Sequence, residues 1–145
     1  MKKYIREMRQ ADRNAVSEMM HIFYASDAVS TNGSEEIFQK DIQACFDGTK
    51  PLKGYVFINE NKYAGYAMIA SGFSTEFGKG VIWIEDVYVK SEYRGQGFGK
   101  EFFRMLEESN PDCLFRLEAE PENEGALALY ERMGYKRLPY VSLKK

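Results

Sequence analysis

The run Val81-Ile82-Trp83-Ile84-Glu85-Asp86-Val87-Tyr88-Val89 is almost wholly apolar and β-prone, and shortly after it the chain reads Arg94-Gly95-Gln96-Gly97-Phe98-Gly99. The first segment predicts a central strand buried on both faces. Phe98, Phe102, Met105 and Leu106 then fall on one side of a helix. A buried strand, a glycine run and an amphipathic helix in that order point to a βαβ crossover, which restricts the chain to a mixed α/β sheet.

The remaining periodicities fill in the order. Tyr4 to Met8 reads as a short strand. Val16, Met19, Met20 and Phe23 mark one amphipathic helix, and Phe38, Ile42, Cys45 and Phe46 a second, with Asn32-Gly33-Ser34 as its start signal. The small, polar loop between them, Ala25 to Gly33, is a candidate wall of a substrate entrance. Gly54 to Asn59 and Tyr63 to Ser71 predict a hairpin around Glu60-Asn61-Lys62. A longer loop is expected from Gly72 to Gly80. Asn110-Pro111-Asp112 ends the helix after the glycine run, and Cys113 to Glu118 is a strand. Ala126, Leu129, Tyr130 and Met133 mark a fourth helix stopped by Gly134, and Tyr135 to Leu143 offers one or two last strands. The expectation is one α+β domain over residues 1–145, a mostly antiparallel mixed sheet with about four helices, in the order β-αα-β-β-β-α-β-α-β(β).

Composition removes several functions. With 145 residues, 44% of them hydrophobic and 14% aromatic, the chain has material for one sizeable core. A formal net charge of −2 gives no basic footprint for nucleic acid. Two distant cysteines, Cys45 and Cys113, and one histidine, His21, suggest neither a disulfide scaffold nor a zinc site, and no metal is expected. No apolar run approaches the roughly 18 residues of a membrane span, and the first residues lack a signal-peptide core, so the expected setting is the cytoplasm.

The glycine run has a specific chemistry. Glycines let backbone amides come close to a ligand, and the helix N-terminus adds unsatisfied N–H groups and a partial positive charge. Together they suit a pyrophosphate, with Arg94 and Lys100 adding charge at either end. The Walker A pattern fails, because Arg94 stands where its first Gly belongs and Glu101 follows Lys100. The dinucleotide pattern fails too, because Gly95, Gly97 and Gly99 are spaced G-x-G-x-G. In isolation the loop is equally an ordinary tight turn from strand to helix.

Arg94-x-x-Gly97-x-Gly99, placed after the Trp83 to Val89 strand, resembles the acyl-CoA pyrophosphate motif of the GNAT superfamily of N-acetyltransferases. Glu120-Pro121-Glu122-Asn123-Glu124-Gly125-Ala126, through Leu129-Tyr130-Glu131-Arg132-Met133-Gly134-Tyr135, resembles that family's C-terminal signature. The resemblance covers essentially the whole chain. It implies acetyl-CoA as acyl donor, held by Arg94, Gly95, Gln96, Gly97, Phe98, Gly99 and Lys100 at the pyrophosphate. It further implies main-chain contacts from Val87, Tyr88 and Val89 to the acetyl group and pantetheine arm, from a strand that bulges and splays from its neighbour. Asn123 is implied to reach the cofactor arm, with Ala126 packing nearby. Tyr130 takes the place of a tyrosine acid beside the thioester sulfur. Pairing through C-terminal strands, common in the family, makes a homodimer an expectation for this β-prone tail.

Acetyl transfer to an amine needs three things: loss of a proton from an ammonium whose pKa is roughly 10.4, a donor for the carbonyl oxygen, and a proton for the leaving thiolate. Glu85, among apolar neighbours, is the candidate base, acting through water; the alternative is an ion pair with a cation such as Arg116. Strand alternation puts Asp86 on the opposite face as a structural residue. Tyr130 is the candidate acid, or else an ordinary core tyrosine. The oxyanion donor is expected to be backbone N–H near Val87. His21 reads as structural or surface, and Cys45 and Cys113 have no nucleophilic role. Tyr24, Phe73, Phe77, Trp83 and Tyr140 are either pocket walls or core.

Glu85, Asp86, Glu118, Glu120 and Glu122 gather acidity around the presumed reaction centre, which favours a cationic acceptor. The Trp83 to Gly95 stretch looks like the polyamine and diamine branch of the superfamily, although this chain is shorter at its C-terminus. A small-molecule amine is therefore the expected partner. Aminoglycosides, amino acids and protein N-termini stay open as acceptors. So does a non-catalytic acyl-CoA sensor with the same fold.

Overall fold

The computed structural model describes residues 2–29 and 33–145. One five-stranded sheet organises the chain, in spatial order β1-β2-β3-β4-β5: β1 (Lys3–Glu7), β2 (Leu52–Asn59), β3 (Lys62–Ser74), β4 (Lys79–Val89) and β5 (Leu114–Leu117). The first four strands pair antiparallel, and β5 joins β4 in parallel. The parallel step requires a crossover, and α3 (Phe98–Ser109) supplies it, as the glycine run predicts. The other helices are α1 (Arg13–Tyr24), α2 (Glu35–Phe46) and α4 (Glu124–Arg132).

The sheet has a core on each face. Val16, Met19 and Met20 of α1 and Phe38 and Ile42 of α2 pack on Val56, Ile58, Tyr66, Met68 and Tyr88. Phe98, Phe102, Phe103 and Leu106 of α3 pack on Tyr55, Phe57, Ala67, Ile69, Ile82 and Ile84. Apolar spacing alone assigns these helix faces, because residues three and four apart share a side.

Local signals set the boundaries. The Ser34 side chain accepts from the Ile37 N–H and caps α2, while Asn32, the other half of that start signal, lies outside the described residues. The β2–β3 turn uses Glu60 and Asn61 at φ 52° and 65°, the left-handed pair of a two-residue hairpin.

Two expectations need correction. The loop expected from Gly72 to Gly80 is only residues 75–78, because β3 runs on to Ser74 and β4 begins at Lys79; Gly72 and Gly80 sit inside the ladder opposite Val81 and Phe73. The strand expected in the tail does not form: among the described residues nothing after α4 joins the sheet. Pro139 interrupts that segment and has no N–H to give a ladder, and Leu138, Tyr140, Val141 and Leu143 stay exposed.

Candidate active site

β4 carries an irregularity that defines the site. Its register against β3 pairs Asp86 with Met68 and Ile84 with Ile69, so Glu85 is one extra residue, a bulge. The parallel ladder to β5 covers only Val81 to Ile84, ending at Leu117, while β4 continues to Val89. Past Ile84 the β5-facing edge of β4 has no strand beside it among the described residues. This is the splayed, bulged geometry that the resemblance implied around Val87, Tyr88 and Val89. Tyr88 is buried against the α1–α2 core, while Val87 and Val89 are half-buried on the α3 side.

The glycine run lies beyond the end of β4. Gly95 and Gly97 have φ of 77° and 89°, which glycine alone adopts cheaply, and Gly97 caps α3 in the left-handed region. Glu101 is the first residue of α3 whose N–H finds an upstream carbonyl, Gly97 O at 2.9 Å. The N–H groups of Phe98, Gly99 and Lys100 precede it and have no backbone acceptor among the described residues. A Cβ placed on Gly99 would meet nothing within 4 Å. Open space above a first-turn glycine is room for an anion. Lys3 donates to Gln96 O at 2.9 Å and Arg94 Nε to Val89 O at 2.9 Å, with the Arg94 guanidinium 6.0 Å from the Tyr88 ring centroid. Arg94 thus ties the loop back to β4, and the exposed Lys100 supplies charge at the helix start.

Beyond β5, Asn123 is the N-cap of α4 and accepts from the Ala126 N–H at 3.3 Å. Its amide NH2 has no acceptor among the described residues, so it can still donate. Tyr130 packs edge-on to Phe103 and Tyr135, with ring centroids 5.9 and 6.1 Å away, and burial pushes its hydroxyl above the ordinary tyrosine value.

The acidic side corrects the alternation argument. Because the bulge inserts one residue, Ile84 and Val87 share the α3 face, and Asp86 turns toward α1 and α2. Asp86, only 4% exposed, accepts from Tyr24 at 2.9 and 3.1 Å and from Tyr66 at 2.8 Å. Asp41 of α2 is pushed up to about 6 by burial and by the charges of Asp86 and Glu85. Glu85 is raised by burial and then by Asp86 and Glu118. Asp86 therefore turns to the α1–α2 side while Glu85 stays exposed at the bulge; the charges of both act on Asp41, and that of Asp86 on Glu85, so the three form one acidic group. No cation pairs with any of the three among the described residues.

Sequence reasoning missed Asp41, although a signal existed. It lies three residues after Phe38 and four before Cys45, a charge set into an apolar stripe. Of the five aromatics considered for a pocket wall, Tyr24 adjoins the acidic group. Trp83 lies under Arg116, Phe73 and Phe77 are exposed near the β3–β4 turn, and Tyr140 bonds Glu76. His21 pairs with Glu35 at the surface between α1 and α2 and packs edge-on to Phe38. Glu118 accepts from Ser142 of the tail.

Comparison with known proteins agrees with this fold. Thialysine N-epsilon-acetyltransferase of Sus scrofa is 38% identical over 77 residues, 51% of this chain and 45% of that protein. The Bos taurus protein of the same name is 37% identical over 73 residues, 48% of this chain and 42% of its own. Less than half of each relative's length is thus matched. Among solved structures, one described as a possible acetyltransferase from Clostridium difficile 630 has a TM-score of 0.85 at 22% identity and covers 100% of this chain and 97% of its own. AAC(6')-Iy, solved with the bisubstrate analog CoA-S-monomethyl-acetylneamine, has a TM-score of 0.82 at 13% identity, covering 100% and 98%. A transcriptional regulator from Bacillus halodurans C-125 scores 0.78 at 22% identity, covering 99% of each. At these identities the structures share the fold alone. A model of the acetyltransferase (GNAT) family matches residues 16–135, most of the chain, and the chain belongs to that family.

Proposed function

We propose that this protein is an N-acetyltransferase that moves an acetyl group from acetyl-CoA to the primary amine of a small cationic acceptor, by direct transfer in a ternary complex. The observation that carries the reading is the gap where β4 runs on past β5, with a glycine-lined helix start beyond the end of β4 and, at its bulge, an acidic group to which no cation pairs among the described residues. The first suits the pyrophosphate of the donor, the second an ammonium.

In this reading the N–H groups of Phe98, Gly99 and Lys100 hold the pyrophosphate, and Asn123 donates to the pantetheine arm. Backbone N–H at Val87 faces the thioester oxygen, where negative charge develops. Glu85 takes the ammonium proton through a water molecule. The freed nitrogen attacks the thioester carbon, the C–N bond forms as the C–S bond breaks, and Tyr130 gives its hydroxyl proton to the departing thiolate; the proton the new amide nitrogen then loses restores the Tyr130 hydroxyl, and the one on Glu85 passes to solvent. A raised Glu85 carboxyl suits the base role, since its proton affinity moves toward that of the amine.

The acceptor follows from charge. Asp41, Glu85 and Asp86, with no paired cation among the described residues, favour a dication over a neutral amine. The thialysine enzymes among the relatives add lysine-like ε-amines to the candidates, and AAC(6')-Iy adds aminoglycosides. We also read the protein as a cytoplasmic homodimer: β5 is an edge strand, and the tail beyond α4 leaves Leu138, Tyr140, Val141 and Leu143 uncovered. Light scattering that finds only monomer at micromolar concentration contradicts that part.

Thiol release from acetyl-CoA in the presence of polyamines, lysine analogues, aminoglycosides and a peptide with a free N-terminus tests the reading. Amine-dependent release is expected. CoA binding without release in any acceptor class would establish a sensor instead.

A further inference from the structure

Asp86 is a buried carboxylate that the proposed reaction does not use. It is 4% exposed and no cation reaches it among the described residues. Two phenols meet it from two other elements, Tyr24 from the last turn of α1 and Tyr66 from the middle of β3. Tyr66 is itself fully buried. Two hydroxyl donors on one buried carboxylate fix its orientation, because an unmade bond there is costly. Asp86 is also the second residue of the bulge. The extra residue, Glu85, has no ladder partner on β3, so its direction is set by what holds its neighbours. Ile84 is held by the α3-side core and Asp86 by the two tyrosines.

We propose that Asp86, clamped by Tyr24 and Tyr66, is a positioning residue of the acceptor site: it holds the bulge that presents Glu85 to the cleft and lays its negative charge beside the Glu85 carboxylate. The inference rests on reading Glu85 as the acceptor-side carboxylate. The groups around Glu85 are Asp86 on its own strand, Glu118 just after β5, Asp41 on α2 and Tyr24 on α1. Arg116 of β5, opposite Trp83 in the β4–β5 ladder, is stacked on that ring. Every charge felt by Glu85 in this set is negative, and Asp86 is the foremost of them. Its removal therefore makes Glu85 easier to ionise.

The test is a carbon-detected NMR titration of the Glu85 and Asp86 side chains in the full chain, which needs no turnover. In Asp86→Asn, the Glu85 midpoint is expected to fall by about one pH unit. In Tyr24→Phe, the Asp86 midpoint is expected to rise, since a donor to its charged form is gone. An unmoved Glu85 midpoint in a folded Asp86→Asn overturns the inference. Should that variant fail to fold, the wild type decides: coupled neighbours titrate in two separated steps, and one ordinary glutamate step for Glu85 overturns it. A parallel pH profile of kcat/KM separates the two readings. If the NMR midpoint falls and the acid limb stays, Asp86 keeps its role and Glu85 loses that of the base.

Discussion

Arg116 lies over the ring of Trp83, its guanidinium carbon 4.7 Å from the ring centroid, and Glu85 two positions along β4 is left without it. A cation–π contact takes up the cation that was the obvious ion-pair partner for the glutamate. With burial, Asp86 and Glu118 acting in the same direction, Glu85 holds its proton to a pH above the ordinary glutamate value.

The pH dependence follows with a definite sign. A base works unprotonated, so kcat/KM should rise through the raised Glu85 pKa and its acid limb should sit above about 4.5, the ordinary glutamate value. Glu85→Gln should lower kcat by roughly a hundredfold or more with CoA affinity unchanged. Stopped assays across pH, with CoA affinity by calorimetry, check both.

Gly99→Ala separates folding from binding. Its surroundings are empty and its φ is unremarkable, so the alanine should raise helix stability by about 0.5–1 kcal/mol. In the proposed reading the same methyl stands where the pyrophosphate approaches α3, and CoA affinity should then fall at least about tenfold, some 1.4 kcal/mol. Gly97→Ala, at φ 89°, should lose stability as well. Thermal melts with and without CoA give both signs.

Much of this was legible in the sequence, and the failures have physical reasons. The buried β4 run and the α3 stripe are periodic over many residues and fix strand, helix and crossover. The turn from β4 into α3 was legible as well, because glycine spacing is a backbone property and Gly95 and Gly97 take positive φ there. The orientation of Asp86 was not. One inserted residue at Glu85 reverses alternation, and nothing in the local residue types marks where a ladder slips. The tail reads as β-prone because Tyr140, Val141 and Leu143 favour strands, but pairing depends on a partner edge, and Pro139 sits among them.

Asp41 should trade stability for function. A carboxyl raised to about 6 in the folded protein opposes folding once it ionises, so its cost grows as pH rises from about 4 through 6 and is fully present at pH 8. Asp41→Asn should therefore stabilise the protein at pH 8, by about 1 kcal/mol after screening by water, and change little at pH 4. The acceptor KM should rise in the same variant. Urea unfolding at the two pH values and steady-state kinetics measure these effects.

A lock far from the cleft works the other way. Buried Asp12 accepts from Arg6 at 2.7 and 2.9 Å, from Tyr63 at 2.6 Å and from the Arg9 N–H at 2.7 Å, joining β1, the turn after it and β3. Burial pushes the carboxyl up, but these donors outweigh it and hold it at about 2. Its contribution is present above about pH 4 and is lost as pH falls toward 2. Asp12→Ala should cost about 3–5 kcal/mol, since Arg6 would keep its charge without a partner. Denaturant midpoints at pH 7 and pH 3 give the size and the sign.

Tyr130→Phe probes the thiolate side. The ring packing on Phe103 and Tyr135 survives the change, so stability and CoA affinity should hold while kcat falls about tenfold or more. An unchanged kcat removes Tyr130 from the chemistry.

The most direct measurement is product stoichiometry: acetyl-CoA with a linear diamine, and separately with a monoamine of equal length, followed by thiol release and mass spectrometry of the amine. One N-acetylated amine per thiol released, with kcat/KM for the diamine at least about tenfold above the monoamine, is the expected result. Acetyl-CoA bound at the α3 start, with no acetylated amine formed from either compound or from a lysine analogue or aminoglycoside, would contradict it.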